Sequence, residues 1–403
     1  MKHTQGLGLA LASLTLAGGA LAADLRLDGF PDYDSQLEAI LGGFPAHNVD
    51  MLMNEHGGHH DKLKTNLATG SGAGDVVLID RNFVGSFVNQ GGFVDLTDEF
   101  APYRDNFAPY AVTQGQGNDG NQYAVPVDLG PGVVYYRRDY MEDMGYDLDE
   151  VMTDWDSYLD YGRSLKEDGI LLIGNANAVA TAYWNFNVEP GNGLYFDSEG
   201  EPLVTSDRFK RAFELAKTVR DEGMDGNISE WTEEWYAGFR EGRFATQMSG
   251  AWLLGHLQNW MAPETSGNWG VSNLPDNTYG TWGGSFLAIP RQSEQPEAAW
   301  DPIEYMISED IQLAGFQNIA AFPAHTATYD DPMFNEPIDF LRGQRARVLF
   351  ANIAENVTPV EPHEGDQIAE SLIGTALEQV LNDGMDIDTA LANAERQIKR
   401  RVR

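Results

Sequence analysis

The chain alternates short, continuous apolar runs with longer stretches in which apolar residues return every three or four positions. Val76-Val77-Leu78-Ile79, Val133-Val134-Tyr135-Tyr136, Ile170-Leu171-Leu172-Ile173 and Phe286-Leu287-Ala288-Ile289 are runs of the first kind. They are too short for helices and rich in aliphatic and aromatic residues, so they predict strands buried on both faces. Ser206 stands where an N-cap belongs, and after it Phe209, Ala212, Phe213, Ala216 and Val219 share one helical face. A second stripe, Ile387, Leu391, Ala394 and Ile398, follows Asp386 and ends in Lys399, Arg400, Arg401 and Arg403. Those cations suit the negative end of a helix dipole. Gly and Asn cluster at 114–122 and 189–200, which predicts surface turns or hairpins. Strands alternating with helices, with no internal repeat, predict an α/β protein.

The first 22 residues break this pattern. Lys2 and His3 precede an apolar stretch from Gly6 to Ala17, and Ala20-Leu21-Ala22 places small residues at −3 and −1 of a cleavage site. This predicts a secretory signal peptide cut after Ala22, since the apolar core falls short of the ~20 residues that span a bilayer. The expected location is the periplasm.

Composition narrows the function. Sixty-two acids against 26 bases leave a net charge of −36, which excludes phosphate backbones and anionic membranes as partners. Lysine is scarce, 7 against 19 arginines, and such an acidic surface suits a halophile-like, high-salt setting. At 403 residues the chain is long enough for more than one domain. It has no cysteine, which rules out disulfides, thiol chemistry, thiolate metal sites and a lipid anchor on an N-terminal cysteine.

No GxSxG, HExxH or Walker A motif occurs. A glycosidase-type pair of acids remains open on counting alone. The cluster Glu55-His56-Gly57-Gly58-His59-His60-Asp61 has metal-like content, with His56 and His60 four residues apart. Gly57-Gly58 argues against a helix there, and His59 is the candidate from this cluster for a place beside a ligand.

Several segments, in order, carry a family pattern. These are Leu63–Asp75, then Val76–Ile79 with Asp80-Arg81, Gly91–Thr97, Tyr123–Asp128, Val133–Asp139, and Phe239–Ala245 leading to Met248–Trp252. Together they resemble the extracellular solute-binding proteins of carbohydrate ABC importers, the maltose-binding-protein-like family, over nearly the whole mature chain. The resemblance implies a type II periplasmic binding protein fold, with two α/β lobes, a ligand cleft between them and a hinge of crossing segments. Lobe 1 is expected over 23–128 and 286–325, and lobe 2 over 129–285 and 326–403. It also implies a monomer that captures a mono- or disaccharide, or a polyol, and delivers it to the membrane permease. Neither catalysis nor a cofactor is implied. The competing readings are an exported glycan-degrading enzyme with an acid pair, and a metal-binding receptor using His56, His59 and His60.

Sugars present apolar C–H faces and a rim of hydroxyls, which aromatic rings and charged side chains respectively recognise. Tryptophans in Gly- or Asn-flanked turns are harder to explain as core than those on apolar stripes. Trp184, Trp252 and Trp282, the last followed by Gly283, are therefore the expected ligand platforms. Trp155, Trp231, Trp235 and Trp300 are expected to pack. Asp80 and Arg81 follow a buried strand, at its carboxyl end, where open α/β sheets bind ligands; the pair also matches an Asp-Arg pair that contacts sugar in the family. Asp128, after Pro126, is expected to face the cleft at the first lobe crossing. Tyr33, after the first strand with Phe30 and Pro31, is expected to line it. Gly130 departs from the family, which places an acid there, and Thr246 departs where the family has Met.

Overall fold

The computed structural model describes residues 22–30, 41–319 and 321–402. Residues 1–21 of the expected signal peptide, and Tyr33, lie outside these residues. The described chain builds one mixed sheet in the order β2-β1-β3-β8-β4-β6-β5, with β7 and β9 also paired to β4. The strands are β1 Asp24–Gly29, β2 Asn48–Met53, β3 Val76–Asp80, β4 Val125–Arg137, β5 Leu171–Ile173, β6 Phe244–Gly250, β7 Trp269–Ser272, β8 Thr281–Ala288 and β9 Phe322–Pro323. Parallel pairs at β1–β2, β1–β3 and β5–β6 lie at its two ends, while β3–β8, β4–β8 and β4–β6 are antiparallel.

β4 organises the molecule. All 13 of its residues are buried. Its first half pairs with β8 and β9, and its second half with β6 and β7. Within the first half the register against β8 slips twice, between Pro126 and Asp128 and between Leu129 and Pro131. Proline lacks the N–H that a ladder needs; Pro126 and Pro131, in register with Phe286 and Thr281, each border one of these irregularities, and bulges of this kind bend a strand. The short run read at Val133–Tyr136 is thus the second half of a longer strand.

The predicted helices form as Asp207–Asp221 and Ile387–Arg401, each burying its apolar stripe. Asp386 caps the latter by accepting from Thr389 N–H. The hairpin expectations hold at the isolated bridges Gln116–Gln122 and Phe196–Pro202. One expectation fails. The chain is helical from His56 to Thr69 despite Gly57-Gly58, because the Glu55 carboxylate accepts from both Gly57 N–H and Gly58 N–H and so satisfies the first turn. Among the described residues no helix is long and apolar enough to cross a membrane.

Candidate functional site

Asp80 is the last residue of β3 and the N-cap of the Arg81–Val88 helix, with its Oδ1 accepting from Asn82 N–H at 2.8 Å. It stands in register with Ser285 of β8, and Ser285 in turn with Asp128 of β4. Two strand spacings therefore separate the aspartates, roughly 10 Å. Asp128 is 8% exposed.

Three rings support Asp80 from the His56–Thr69 helix and from the end of β1. His60 Nε2 accepts from Asp80 N–H at 3.0 Å, which leaves its proton on Nδ1, donated to His56 O at 2.7 Å. Burial pulls the His60 pKa down to about 4, and its ring stacks on Phe83 at 3.8 Å. His56 Nε2 lies 3.6 Å from Asp80 Oδ2. The hydrogen bond and charge of Asp80 raise the His56 pKa. Burial works against charge on Asp80, but His56 and Asn82 N–H together hold its carboxyl below the usual range. Phe30 closes the group, edge-on to His56 at 4.9 Å.

Arg81 is 8% exposed and its Nε has no hydrogen-bond partner. It lines a cavity of about 40 Å³, together with Asn82, Gln114, Glu361, Asp366 and Glu370. The far wall belongs to the Asp366–Asp383 helix and the residues before it. Burial lifts the carboxyl groups of both Asp366 and Glu370 to about 7.

β8 links this carboxylate row to an aromatic wall. Trp282, Gly283 and Gly284 are half-buried, whereas the strand from Ser285 onward is sealed. Trp252 Nε1–H donates to Trp282 O at 2.8 Å. Trp231 stacks on Trp252 with centroids 5.7 Å apart and planes at 24°. His256 stands edge-on to Trp252 at 5.8 Å and accepts at Nδ1 from Trp260 Nε1–H. Gly283 has φ +80°, a left-handed geometry that favours glycine. Gly130 is also explained here: a Cβ on it would lie 2.0 Å from Trp282 O, so the acid found there in the family does not fit.

Two expected residues are elsewhere. Trp184 is 5% exposed and stacks on Phe209 at 5.8 Å, because its face of the Asn177–Phe186 helix meets the Asp207–Asp221 helix. Its ring is core, with no face left for a ligand. His59 is 2% exposed and its Nε2–H donates to Leu78 O at 2.7 Å, so it anchors the helix to β3 rather than facing the cleft. With both His60 nitrogens and one of His59 spent on the backbone, the triad is not a metal-ligand set. Among the described residues no group of three or more His, Asp or Glu is placed to hold a metal ion.

Other functional candidates escaped the sequence reading. Trp155 and Trp235 are buried as expected, but Trp231 is 45% exposed with φ +61°. It precedes the Glu233–Arg240 helix, whose N-cap Thr232 accepts from Trp235 N–H. The Thr232-Glu233-Glu234 cap signal was present in the sequence and places Trp231 outside that helix. Asp366 and Glu370 carried no local signal.

The Bacterial extracellular solute-binding protein family model matches residues 51–340. The arabinooligosaccharide-binding protein of Halalkalibacterium halodurans is 24% identical over 343 residues, which is 79% of this chain and 75% of that protein. The lactose-binding protein of Rhizobium radiobacter is 25% identical over 309 residues, 72% and 71% of the two chains. Among solved structures, the ABC transporter-associated binding protein from B. animalis subsp. lactis Bl-04, in complex with beta-1,6-galactobiose, superposes with a TM-score of 0.78 at 22% identity. That match covers 94% of this chain and 97% of the other. With the family model spanning well over half of the sequence and the fold shared over 94% of the chain, the chain belongs to the bacterial extracellular solute-binding proteins, on the type II periplasmic binding protein fold.

Proposed function

We propose that the protein is the sugar-capturing component of an ABC importer, taking a mono- or disaccharide or a polyol and handing it to the membrane permease. The observation that carries this reading is the pairing of Asp80 and Arg81, at the carboxyl end of β3, with the Trp252–Trp231 wall reached along β8. Charged groups for hydroxyls and flat rings for C–H faces are the two recognition elements that a neutral sugar requires. Relatives named for arabinooligosaccharide and lactose binding support the same class. The family's extracellular setting agrees with export through residues 1–22, cut after Ala22. The proposed lobes are 23–128 with 286–325, and 129–285 with 326–403. They would meet at β4 and β8 and close on the ligand.

A thermal-melt screen with lactose, mannitol, arabinose oligosaccharides and maltose tests the proposal. Ligand at one hundred times its Kd adds ~2.7 kcal/mol to the folded state, so a binder raises Tm visibly. A flat panel, together with new reducing ends appearing from incubated oligosaccharides, would favour a hydrolase instead.

A further inference from the structure

The pocket between the Arg81–Val88 and Asp366–Asp383 helices contains an unbalanced set of polar atoms. Arg81 Nε, a donor, and Asp366 Oδ1, an acceptor, are both sealed from solvent and both unpartnered. Asp366 Oδ2 is occupied, accepting from His363 N–H at 2.8 Å. Glu370 lies one helical turn further on, lining the same pocket. The two helices approach this closely because Gly85 has no side chain. A Cβ there would lie 3.0 Å from Pro362 Cβ and 3.1 Å from Asp366 Oδ2.

A buried donor or acceptor left unpaired costs about 1–3 kcal/mol, so the pocket is shaped for something that satisfies both. An anion would meet two carboxylates. An alkyl group would leave both atoms unsatisfied. A hydroxyl both accepts and donates, and neighbouring hydroxyls can serve Arg81 and the two acids at once. We propose that Asp366 and Glu370 contact the ligand and, with Arg81, form a subsite for adjacent hydroxyls of a neutral sugar or polyol. One hydroxyl oxygen accepts from Arg81 Nε–H and its proton is donated to Asp366 Oδ1. This rests on the sugar-binding reading above and adds the residues that read the hydroxyls from the opposite wall.

Proton release on binding follows. Burial chiefly, aided by the like charge of Glu370 on Asp366 and of Asp80 on Glu370, holds the free Asp366 and Glu370 carboxyls up near 7. A hydroxyl donating to a carboxylate favours its ionised form, so their pKa values fall on binding and protons leave. Affinity therefore rises with pH up to about 7 and then levels off. The groups facing the two acids are Arg81 from its helix, Asp80 at the end of β3, Tyr195 from the 187–206 connection, and Glu361 and His363 before their own helix. Arg81 favours ionisation and Asp80 opposes it. Burial lowers the His363 pKa and raises that of Tyr195, so both are neutral at pH 7.

Titration calorimetry at pH 7 tests this, using lactose, mannitol, arabinose oligosaccharides and maltose in phosphate, imidazole and Tris, whose ionisation enthalpies differ. The expected result is a binding enthalpy that changes with buffer in the direction of proton release. Asp366→Asn should lower affinity at least tenfold, and Asp366→Asn with Glu370→Gln should abolish the buffer dependence. The wild-type measurement requires no variant to fold. A sugar that binds with the same enthalpy in all buffers, or with undiminished affinity to a folded Asp366→Asn, overturns this subsite while leaving the sugar reading intact. A wild type that binds none of the panel overturns both.

Discussion

Trp252 is where the aromatic wall can be tested most sharply, because two of its interactions separate by substitution. Its Nε1–H holds Trp282 O at 2.8 Å, and its ring stacks with Trp231 at 5.7 Å. Trp252→Ala removes both, along with any surface offered to a sugar. The hydrogen bond is worth about 1 kcal/mol and the aromatic pair about 0.5–1.5 kcal/mol, so the free protein should lose roughly 2 kcal/mol of stability. Losing a ring stacked on a flat partner costs a further ~1–3 kcal/mol of binding, by analogy with base stacking, which is roughly 5- to 150-fold in Kd. Trp252→Phe keeps a ring but drops the N–H. It should lose about 1 kcal/mol of stability while retaining most of the affinity. Urea melts give the stability terms, and calorimetry with a sugar from the melt screen gives the binding terms. If Trp252→Ala collapses the near-UV dichroism yet what remains folded binds normally, the ring is core and the platform argument is wrong.

Three further outcomes are expected. Asp80→Asn and Asp128→Asn should each weaken sugar binding about 10- to 100-fold, in line with ~1.5–3 kcal/mol for a charged acceptor. Asp197→Asn, in the Phe196–Pro202 hairpin, should leave calorimetric affinity unchanged, and equal affinities in all three would remove both aspartates from the site. His60 is neutral in the fold, with a pKa of about 4 against the ordinary 6.5. Its contribution is therefore complete above pH 6.5 and is lost as pH falls toward 4, by roughly 3 kcal/mol; urea melts across that window should show the loss, and His60→Gln should flatten it. Small-angle scattering should give a smaller radius of gyration at saturating sugar, because contacts to both lobes favour the closed form. An unchanged curve would speak against hinged closure.

Much of this molecule was legible in local sequence because its causes are local. The apolar run Val76–Ile79 needed burial on both faces whatever its neighbours, and it forms the buried part of β3 with Asp80 at its exit. The Asp207–Asp221 and Ile387–Arg401 helices follow from residue spacing and caps that act within a turn or two. The absence of cysteine and the net charge of −36 are properties of the chain alone.

What the sequence left undecided was which face of each element meets which partner. Trp184 and Trp231 both sit beside polar residues in sequence. Yet Trp184 is sealed by Phe209 and Phe213 from another helix, while a left-handed backbone leaves Trp231 exposed against Trp252. His59 and His60 are adjacent in the chain, but the first anchors to Leu78 O and the second supports the Asp80 backbone, because successive residues of a helix point in different directions. Gly57-Gly58 reads as a helix breaker until the Glu55 carboxylate is seen satisfying their N–H groups. Arg81 shares a pocket with Asp366 and Glu370 only because Gly85 lets two helices, distant in sequence, nearly touch. Propensity and periodicity act over a few residues, whereas burial, exposure and the pairing of charges depend on long-range packing, and that packing exists only in the folded chain.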